Sequence, residues 1–250
     1  MNTFQKIEAL VSGMYDRPFL NNNPVLNKLE AGEMTASRAE VVVGEYVGLV
    51  TMIISYLFSA SCVLDKTSAA RDELIRNLGE ERGSVTAGQT HHEILNRCLQ
   101  KIGVNVNNHV WSKSTRDFLF VLGQAIYTKS PVYVAGVILA LEATATPELM
   151  VVAKILNRYA ALRNMPQLIA DDVIAGTAEL PKDMSDLNLD DFFAMHIEDF
   201  EPGHRDRFIG AILPALDAQE DGEKAFREFI SGFTWVLDLM DAWWIKLAAK

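Results

Sequence analysis

Apolar residues recur at helical spacing along most of the chain, in long blocks separated by short polar or glycine-rich stretches. The period-two alternation that would indicate strands is nowhere sustained. Prolines and glycines fall mostly between the blocks, where they end helices and form turns. The pattern therefore predicts a single all-α domain, a helical bundle over residues 1–250, without internal repeats or a linker.

The boundaries follow from capping and breaking residues. Thr35 or Ser37 is expected to cap the longest helix, and Gly32 is expected to close the helix before it. Pro147 should kink the central helix or start a successor, and the stretch RPFLNNNP should be a turn. The predicted helices cover 3–13, 24–32, 35–64, 66–81, 91–103, 114–128, 131–142 with a continuation to 163, 166–177, 189–200, 205–216 and 221–249.

One block is long enough to raise the question of a membrane. Residues 46–64 (YVGLVTMIISYLFSASCVL) are nineteen consecutive residues without a charge, which is a length that can span a bilayer. The block carries four Thr and Ser residues, and no cluster of Lys or Arg flanks it. We therefore expect a buried core helix and no membrane partner.

Composition and charge narrow the function classes. The chain is 49% apolar over 250 residues, so it can bury a large core. Its formal net charge is -10 and no basic stripe is visible, which argues against a nucleic-acid partner. The two cysteines, Cys62 and Cys98, lie in apolar helical patterns and cannot form a disulfide framework. With no signal-peptide pattern in MNTFQKIEAL, a reduced, cytoplasmic protein is expected.

Four of the five histidines stand near carboxylates, and only His109, in an Asn-rich loop, is expected to face solvent. The first group is NLGEERGSVTAGQTHHEIL, in which Glu80 and Glu81 end one helix while His91 and His92 begin the next. A Glu at a helix end and a His across a short loop can converge on one point. Helix-boundary Glu and His residues are, however, usually solvated.

The second group is FFAMHIEDFEPGHRDRF, where His196 and His204 bracket Asp199 and Glu201. His196 and Asp199 are three residues apart, as are Glu201 and His204, and this spacing places each pair on one helical face. Such pairs project iron ligands into helical bundles. The alternative is a polar helix end broken by Pro202-Gly203.

The third feature is Glu142, with twelve uncharged residues before it and five after it. A helix that is apolar all round is a buried helix, and a carboxylate buried alone is costly unless it is paired, protonated or bound to a metal. A polar seam or an Arg partner would also explain it. Taken together, carboxylates and histidines on several helices match a carboxylate-rich non-haem iron site, whereas zinc favours fewer ligands and more Cys or His.

The order of these residues is Glu, His, a buried Glu, then a His/carboxylate/His cluster. It resembles the haem-oxygenase-like diiron oxidases and oxygenases, the relatives of the CADD protein within the TenA/PqqC-like superfamily. NLGEERG…HHEILNRCLQKIGV is similar to the family segment in which a helix ends in Glu and an HpeLf…alG helix follows, with His92 in the place usually held by Pro. FFAMHIEDFEPGH looks like the family's final ligand helix, His-x3-Asp-x2-His.

The resemblance covers most of the chain and implies a haem-oxygenase-like (TenA/PqqC/CADD-like) helical bundle. It further implies a non-haem diiron oxidoreductase with two Fe(II) ions, or Mn in their place, that activates O₂. The implied substrate is a small amino-acid-like or fatty-acid-like molecule, or a side chain of the protein itself. Glu142 takes the place of the family's central bridging carboxylate. The implied metal ligands are Glu81, His91, Glu142, His196, Glu201 and His204.

The last segment departs from the family spacing. Its two histidines are eight residues apart rather than seven. Counting back from His204 gives Glu201, whereas counting forward from His196 gives Phe200. An extra residue on such a helix requires a π-bulge, a feature often found at functional sites. We favour Glu201 as the ligand, with Asp199 as its substitute.

Around the ligands we expect a pocket of apolar neighbours and, on core-like helices, tyrosines that could be redox-active or simply buried. The apolar candidates are Leu95, Ile138 and Phe193, and the tyrosines are Tyr46, Tyr56 and Tyr133.

Other readings of the sequence stay open. The same fold could serve a metal-free or degenerate protein that binds a small ligand or a partner, and the stretched histidine spacing is the best support for that alternative. A TenA-like hydrolase would need a Cys nucleophile beside a carboxylate, which the sequence does not place. The amphipathic C-terminal segment FTWVLDLMDAWWIKLAAK either packs over the bundle or forms a homodimer interface.

Overall fold

A computed structural model of the protein describes residues 1–66, 68–184 and 186–249. All regular structure among these residues is helical, which confirms the predicted all-α class. A π-helical segment, His196–Phe200, joins α10 to α11. The α-helices are α1 (Thr3–Met14), α2 (Pro18–Asn21), α3 (Pro24–Glu30), α4 (Ala36–Val63), α5 (Ala69–Glu81), α6 (His91–Lys101), α7 (Lys113–Thr128), α8 (Pro131–Leu162), α9 (Asp171–Ala175), α10 (Leu189–Met195), α11 (Glu201–Asp217) and α12 (Gly222–Ala248).

Helix α8 is the centre of the bundle, and α3, α4, α11 and α12 pack around it. Its first half is apolar on all sides except for Glu142, and the Ser130 side chain accepts a hydrogen bond from the Tyr133 amide and fixes the start of the helix. Thr35 caps α4 in the same way, through the amide of Arg38, as one of the two predicted caps. Because residues 134–144 of α8 are buried on every face, any polar side chain in this stretch has to find a partner inside the protein.

The apolar helices α4 and α8 are each long enough to cross a membrane by length and composition. In the fold, 83% of the apolar window of α8 and 56% of that of α4 are buried. The core helix of a soluble protein passes the same test, so this finding is weak support for a membrane span. The stretch 46–64 therefore belongs to a bundle helix, as expected from its hydroxyl residues and flanks.

Helix α12 packs along α8, where two glycines allow the closest approach. A Cβ on Gly136 would overlap the Phe229 carbonyl oxygen, and a Cβ on Gly232 would overlap that of Tyr133. The side chains of Phe229, Phe233 and Trp244 fill the rest of this interface and are fully buried. The C-terminal segment thus packs within the bundle, and the homodimer stays a prediction.

The predicted break between residues 200 and 205 was wrong. Helices α10 and α11 form one continuous rod through His196–Phe200, whose geometry is π-helical. Pro202 lies in the first turn of α11, just where the hydrogen-bond register changes back to that of an α-helix. A proline is tolerated there because its missing N–H falls among amides that lack a regular intrahelical partner. The π-bulge required by the histidine spacing is present.

The other differences between the predicted and the observed helices are local. Residues 17–24, expected as a turn, contain the one-turn helix α2. Helix α8 runs unbroken through Pro147, without a successor helix. Helix α9 is shorter than 166–177 because Asn157 and Asp190 bind the amides of 168–170 and hold them in an irregular turn. Helix α5 begins at Ala69, capped by Ser68; of the predicted start at 66–68, residue 67 lies outside the described residues.

Candidate metal centre

The six predicted ligands come from five elements and surround one internal cavity. Glu81 ends α5, His91 begins α6, Glu142 lies in the middle of α8, His196 begins the π-helical segment, and Glu201 and His204 lie in the first turn of α11. The cavity volume is about 70 Å³, and all six side chains line it. The structure therefore brings together every residue that the sequence nominated as a ligand.

A first group is formed by His91, His196 and Glu81. His91 Nδ1 lies 3.1 Å from Glu81 Oε1 and 3.1 Å from His196 Nε2. Neighbouring ligands about 2.1 Å from a metal ion are separated by about 3 Å when their bonds to it are perpendicular. Two imidazoles and one carboxylate are also the donor set of the non-haem iron facial triad. The geometry thus fits a metal ion at this point.

Two features hold the imidazoles in place. His196 Nδ1 donates to the Phe192 carbonyl at 2.6 Å, which leaves Nε2 as the unprotonated, coordinating nitrogen. Burial and the neighbouring His91 lower the pKa of His196 to about 3, so the ring is neutral. The His91 ring stacks on Phe200, with ring centroids 5.2 Å apart. Its Nε2 atom is buried without a hydrogen-bond partner.

A second group is formed by Glu81, Glu201 and His204, whose donor atoms lie within 4.8 Å of one another. Glu142 joins it, because its Oε2 is 3.6 Å from His204 Nδ1. Glu81 is the carboxylate that both groups share. Glu142 contacts His204, and its Oε1 accepts a hydrogen bond from Asn77 Nδ2 at 2.9 Å. The distances therefore put Glu81, rather than Glu142, between the two histidine groups.

The second group holds protons that a metal ion would replace. Burial raises the pKa of Glu142 to about 8, and the positive charge of His204 offsets this only in part. Burial disfavours charge on His204 as well, but the carboxylates of Glu201, Glu80 and Glu142 outweigh it and raise the pKa of His204 to about 10. An acidic cluster that keeps protons at neutral pH is a site that favours a bound cation.

Glu80 is a partner that the sequence did not single out as functional. His204 Nε2 donates to Glu80 Oε2 at 2.8 Å, and Arg76 also pairs with Glu80. The hydrogen bond from His204 lowers the pKa of Glu80 to about 2. Metal-bound histidines commonly donate their other ring nitrogen to a carboxylate, so Glu80 orients His204 from the side away from the cavity.

Asp199 does not take part in the cluster. Its side chain is exposed, whereas Glu201 lines the cavity. The π-helical segment contains the extra residue, so that Glu201 and His204 face the same cavity as His196. Of the two carboxylates that the sequence left open, the structure brings only Glu201 to the metal centre.

The expected pocket wall was wrong. Leu95, Ile138 and Phe193 are buried in the core but do not line the cavity. The apolar wall consists instead of Leu49, Val50, Ile53, Leu141, Ala145, Leu149, Phe192 and Met240. Helical periodicity shows which residues are buried, but it does not tell which of them face a cavity.

Of the three tyrosines, only Tyr46 lines the cavity. Tyr56 donates its hydroxyl to the Leu119 carbonyl, and Tyr133 is half-buried against Trp235. Burial and the nearby carboxylates of Glu148 and Glu201 raise the pKa of Tyr46 well above its usual value. The expectation for His109 was also wrong, because its ring packs over Gly44 with Nε2 3.4 Å from Glu45 Oε1.

Comparison with known proteins agrees with this fold. Residues 23–250 match the family DUF3865, described as a Domain of Unknown Function with solved-structure structure. The chain belongs to the DUF3865 family. Among curated proteins, none matches this DUF3865 chain.

Solved structures show the same architecture. A CADD-like protein of unknown function from Nostoc punctiforme PCC 73102 superposes with a TM-score of 0.79 at 24% identity, over 98% of this chain and 97% of that one. A domain with a heme oxygenase-like fold from Shewanella denitrificans OS217 gives 0.66 at 13% identity, over 99% and 92%. A TenA homolog from Pseudomonas syringae pv. tomato DC3000 gives 0.65 at 10%, over 100% and 94%. The DUF3865 chain therefore has the haem-oxygenase-like fold.

Proposed function

We propose that this protein is an O₂-dependent non-haem diiron oxidase or oxygenase acting on a small organic substrate. The observation that carries the proposal is the pair of histidine–carboxylate groups that share Glu81 around one internal cavity. Carboxylate-rich sites of this kind, built from facing helices, hold two iron ions in other bundles. Two ferrous ions would supply the electrons that activate O₂.

Each of the two ions would have its own set of ligands among the residues of the protein. Glu81, His91 and His196 would hold one ion, and Glu142, Glu201 and His204, with Glu81 shared, would hold the other. The apolar wall of the cavity would exclude water and protect reactive species from side reactions. Glu80 and Asn77 would orient ligands of the second ion through the hydrogen bonds that they make to His204 and Glu142.

The two free cysteines suit a reduced, cytoplasmic location for this chemistry. The alternative of a metal-free binding protein loses its main support, because the π-helical segment brings Glu201 and His204 back to the cavity in spite of the longer spacing.

An anaerobic Fe(II) titration followed by stopped-flow mixing with O₂ tests the proposal. We expect about two irons per chain, as a dinuclear bundle site requires, and a transient visible absorption band. His196→Ala and Glu142→Ala should abolish metal binding with helicity retained. His92→Ala is the matched control, since His92 neighbours His91 but bonds Asn96 instead of the cluster. Unchanged iron content in the first two variants would overturn the site.

In a second version of the proposal, the substrate is a side chain of the protein itself. Tyr46 is the tyrosine with access to the cavity, so the iron-loaded protein could oxidise its own side chain. Mass spectrometry after exposure of the Fe(II)-loaded protein to O₂ distinguishes this from an external substrate. A mass change confined to the peptide containing Tyr46, and absent in Tyr46→Phe, would support self-modification, whereas an unchanged peptide would exclude it.

A further inference from the structure

The wall of the cavity contains a carboxylate that the metal centre does not use. Glu148 is 2% exposed and lines the cavity from α8, the helix that also carries Glu142. Residues 141, 142, 145, 148 and 149 form one cavity-facing stripe of α8. Six residues at about 1.5 Å per residue place Glu148 about 9 Å along the helix axis from Glu142.

No cation of the described chain pairs with Glu148. Trp244 Nε1 donates to its Oε1 at 2.9 Å, and no ion pair to it from Lys, Arg or His occurs among residues 1–66, 68–184 and 186–249. A buried carboxylate without a counter-charge is costly and is kept where it has a task. Burial raises the pKa of Glu148 to about 7, although the hydrogen bond from Trp244 acts in the opposite direction and lowers it.

The surroundings of Glu148 suit a positively charged group with an apolar tail. The Tyr46 ring lines the same cavity, and its centroid lies 6.3 Å from that of Trp244, the donor to Glu148. Aromatic rings beside a carboxylate favour cations. Leu49, Ile53 and Leu149 offer an alkyl chain an apolar wall.

The charge of the cavity also decides between substrate classes. Three further carboxyl groups, those of Glu81, Glu142 and Glu201, line the metal end of the cavity, where bound iron ions would balance their charge. At the other end of the cavity, about 9 Å away along α8, an anionic head group would meet the Glu148 carboxylate. The electrostatics at the Glu148 end therefore favour an ammonium group over a carboxylate.

We propose that Glu148 binds the ammonium group of an aliphatic amine substrate and thereby places a carbon of its chain at the metal centre. This inference rests on the proposed oxidase function and names the substrate class for it. Glu148 is then a specificity-determining residue, while the reaction itself would take place at the metal centre.

Ligand-observed NMR titrations with n-pentylamine, pentanoate and 1-pentanol test the inference on the full chain, both metal-free and loaded anaerobically with Fe(II). The wild-type protein should bind the amine at least about tenfold more tightly than the alcohol, the ratio expected for a buried hydrogen bond to a charged group. Pentanoate should bind most weakly to the metal-free protein, where no iron is present to coordinate its carboxylate. Glu148→Gln keeps an acceptor for Trp244 and should remove the preference for the amine while leaving alcohol binding unchanged.

Glu45→Gln is the matched control, because Glu45 is equally buried but accepts from the Ser112 amide outside the cavity. It should leave the preference for the amine intact. If Glu148→Gln fails to fold, Glu148→Asp replaces it: the charge is kept but drawn back, so amine affinity should fall while alcohol affinity stays the same. An amine affinity that does not respond to either Glu148 variant, or pentanoate that binds the metal-free protein as tightly as the amine does, would overturn the inference.

Iron stoichiometry on the same preparations separates the two proposals. Two bound irons without Glu148-dependent amine binding would reject the amine inference and leave the oxidase proposal in place. Glu148-dependent amine binding in a chain that takes up no iron would instead leave an amine-binding protein and reject the oxidase.

Discussion

His91 owes its position to the residue before it. Thr90 Oγ1 accepts from the Glu93 amide at 3.1 Å, and Glu93 Oε2 accepts from the Thr90 amide at 2.9 Å. This capping box fixes where α6 begins. Since His91 is the first residue of that helix, the same local chemistry places its ring against Glu81.

At the next ligand segment, the two acidic residues should behave differently. Glu201→Gln should weaken Mn(II) or Fe(II) binding by more than about tenfold, since even outer partners of a ligand are worth that much. Asp199→Asn should leave it unchanged, because the Asp199 side chain is exposed. Metal titrations of the two variants side by side measure the difference. A larger loss of affinity in Asp199→Asn than in Glu201→Gln would show that Asp199 is the ligand.

Protonation of the second group gives a pH-dependent prediction. At pH 7 the metal-free protein holds protons on His204, with a pKa of about 10, and on Glu142, with a pKa of about 8. Both must lose them to coordinate a metal, so uptake should release up to about two protons and affinity should rise with pH. Mn(II) calorimetry at pH 7 in buffers of different ionisation enthalpy measures this. Heats that are the same in all buffers would contradict it.

Individual residues also show where sequence reasoning stops. Spacing and the improbability of a lone Glu in an apolar helix pointed to Glu142 and to the segment from His196 to His204. The choice of Glu81 and His91 within their segment came from the resemblance to a known family.

Glu80, Asn77 and Glu148 could not be nominated from the sequence, because their roles depend on which helices face them. The prediction that His109 faces solvent was wrong for the same reason. The local sequence of its Asn-rich loop does not show that Gly44 of α4 lies beneath the ring.

At the scale of the elements, the π-helical segment is the feature that holds the second half of the site. Deleting Asp199 would leave His196, Glu201 and His204 in a His-x3-Glu-x2-His order, which keeps all three on one face of a regular α-helix. We expect this deletion variant to bind metal at the wild-type stoichiometry. Metal analysis after dialysis is the measurement.

The control deletion removes Asp206, an exposed residue of α11 beyond the cluster. It leaves all ligands in sequence but turns the rest of α11 by about 100° against α8, because no bulge is there to absorb the change. That variant should lose cooperative folding. Equal loss of metal in both deletions would mean that the π-helical geometry itself is required.

The crossing of α8 and α12 gives a stability prediction. Gly232→Ala puts a methyl group against the Tyr133 carbonyl oxygen, so it should lower the free energy of unfolding by about 1–3 kcal/mol or more. Gly210→Ala is the matched control, since Gly210 is helical and exposed with no atom within 4 Å of its Cβ position. It should raise stability by about 0.4–1 kcal/mol. Urea unfolding followed by circular dichroism checks both values.

Periodicity and caps predict most of these elements. Thr35 and the apolar runs located α4 and α8 closely. Two of the errors concern prolines: no successor helix starts at Pro147, and Pro202 does not break the rod formed by α10 and α11. A sequence does not show whether a proline's missing N–H meets an already irregular hydrogen-bond register, as at Pro202, or is tolerated because the packing of α8 outweighs its cost.

For the whole molecule, the candidate metal centre connects elements that are distant in the chain. Its six residues come from α5, α6, α8, the π-helical segment and α11, which all pack into one core. A bound ion stabilises only the folded arrangement, by about 2.7 kcal/mol at a hundredfold excess over Kd. In a chain of this size that corresponds to roughly 5–10 °C in Tm.

Differential scanning calorimetry tests this prediction. The metal-free protein should unfold in one transition, as expected for a single domain over 1–250. Mn(II) should raise the Tm by roughly the amount above, and a chelator should reverse the change. Two separate transitions would reject the single domain, and an unshifted Tm would reject tight metal binding.

The extra residue in the π-helical segment has a consequence for finding relatives of this chain. A search pattern with the fixed spacing His-x3-Asp-x2-His passes over it, although Glu201 and His204 reach the same cavity as His196. Insertion of a single codon lengthens the pattern to His-x4-Glu-x2-His without moving the ligands off their common face. Genomes surveyed with the shorter pattern alone would count such proteins as having lost their metal site, so both spacings belong in the search.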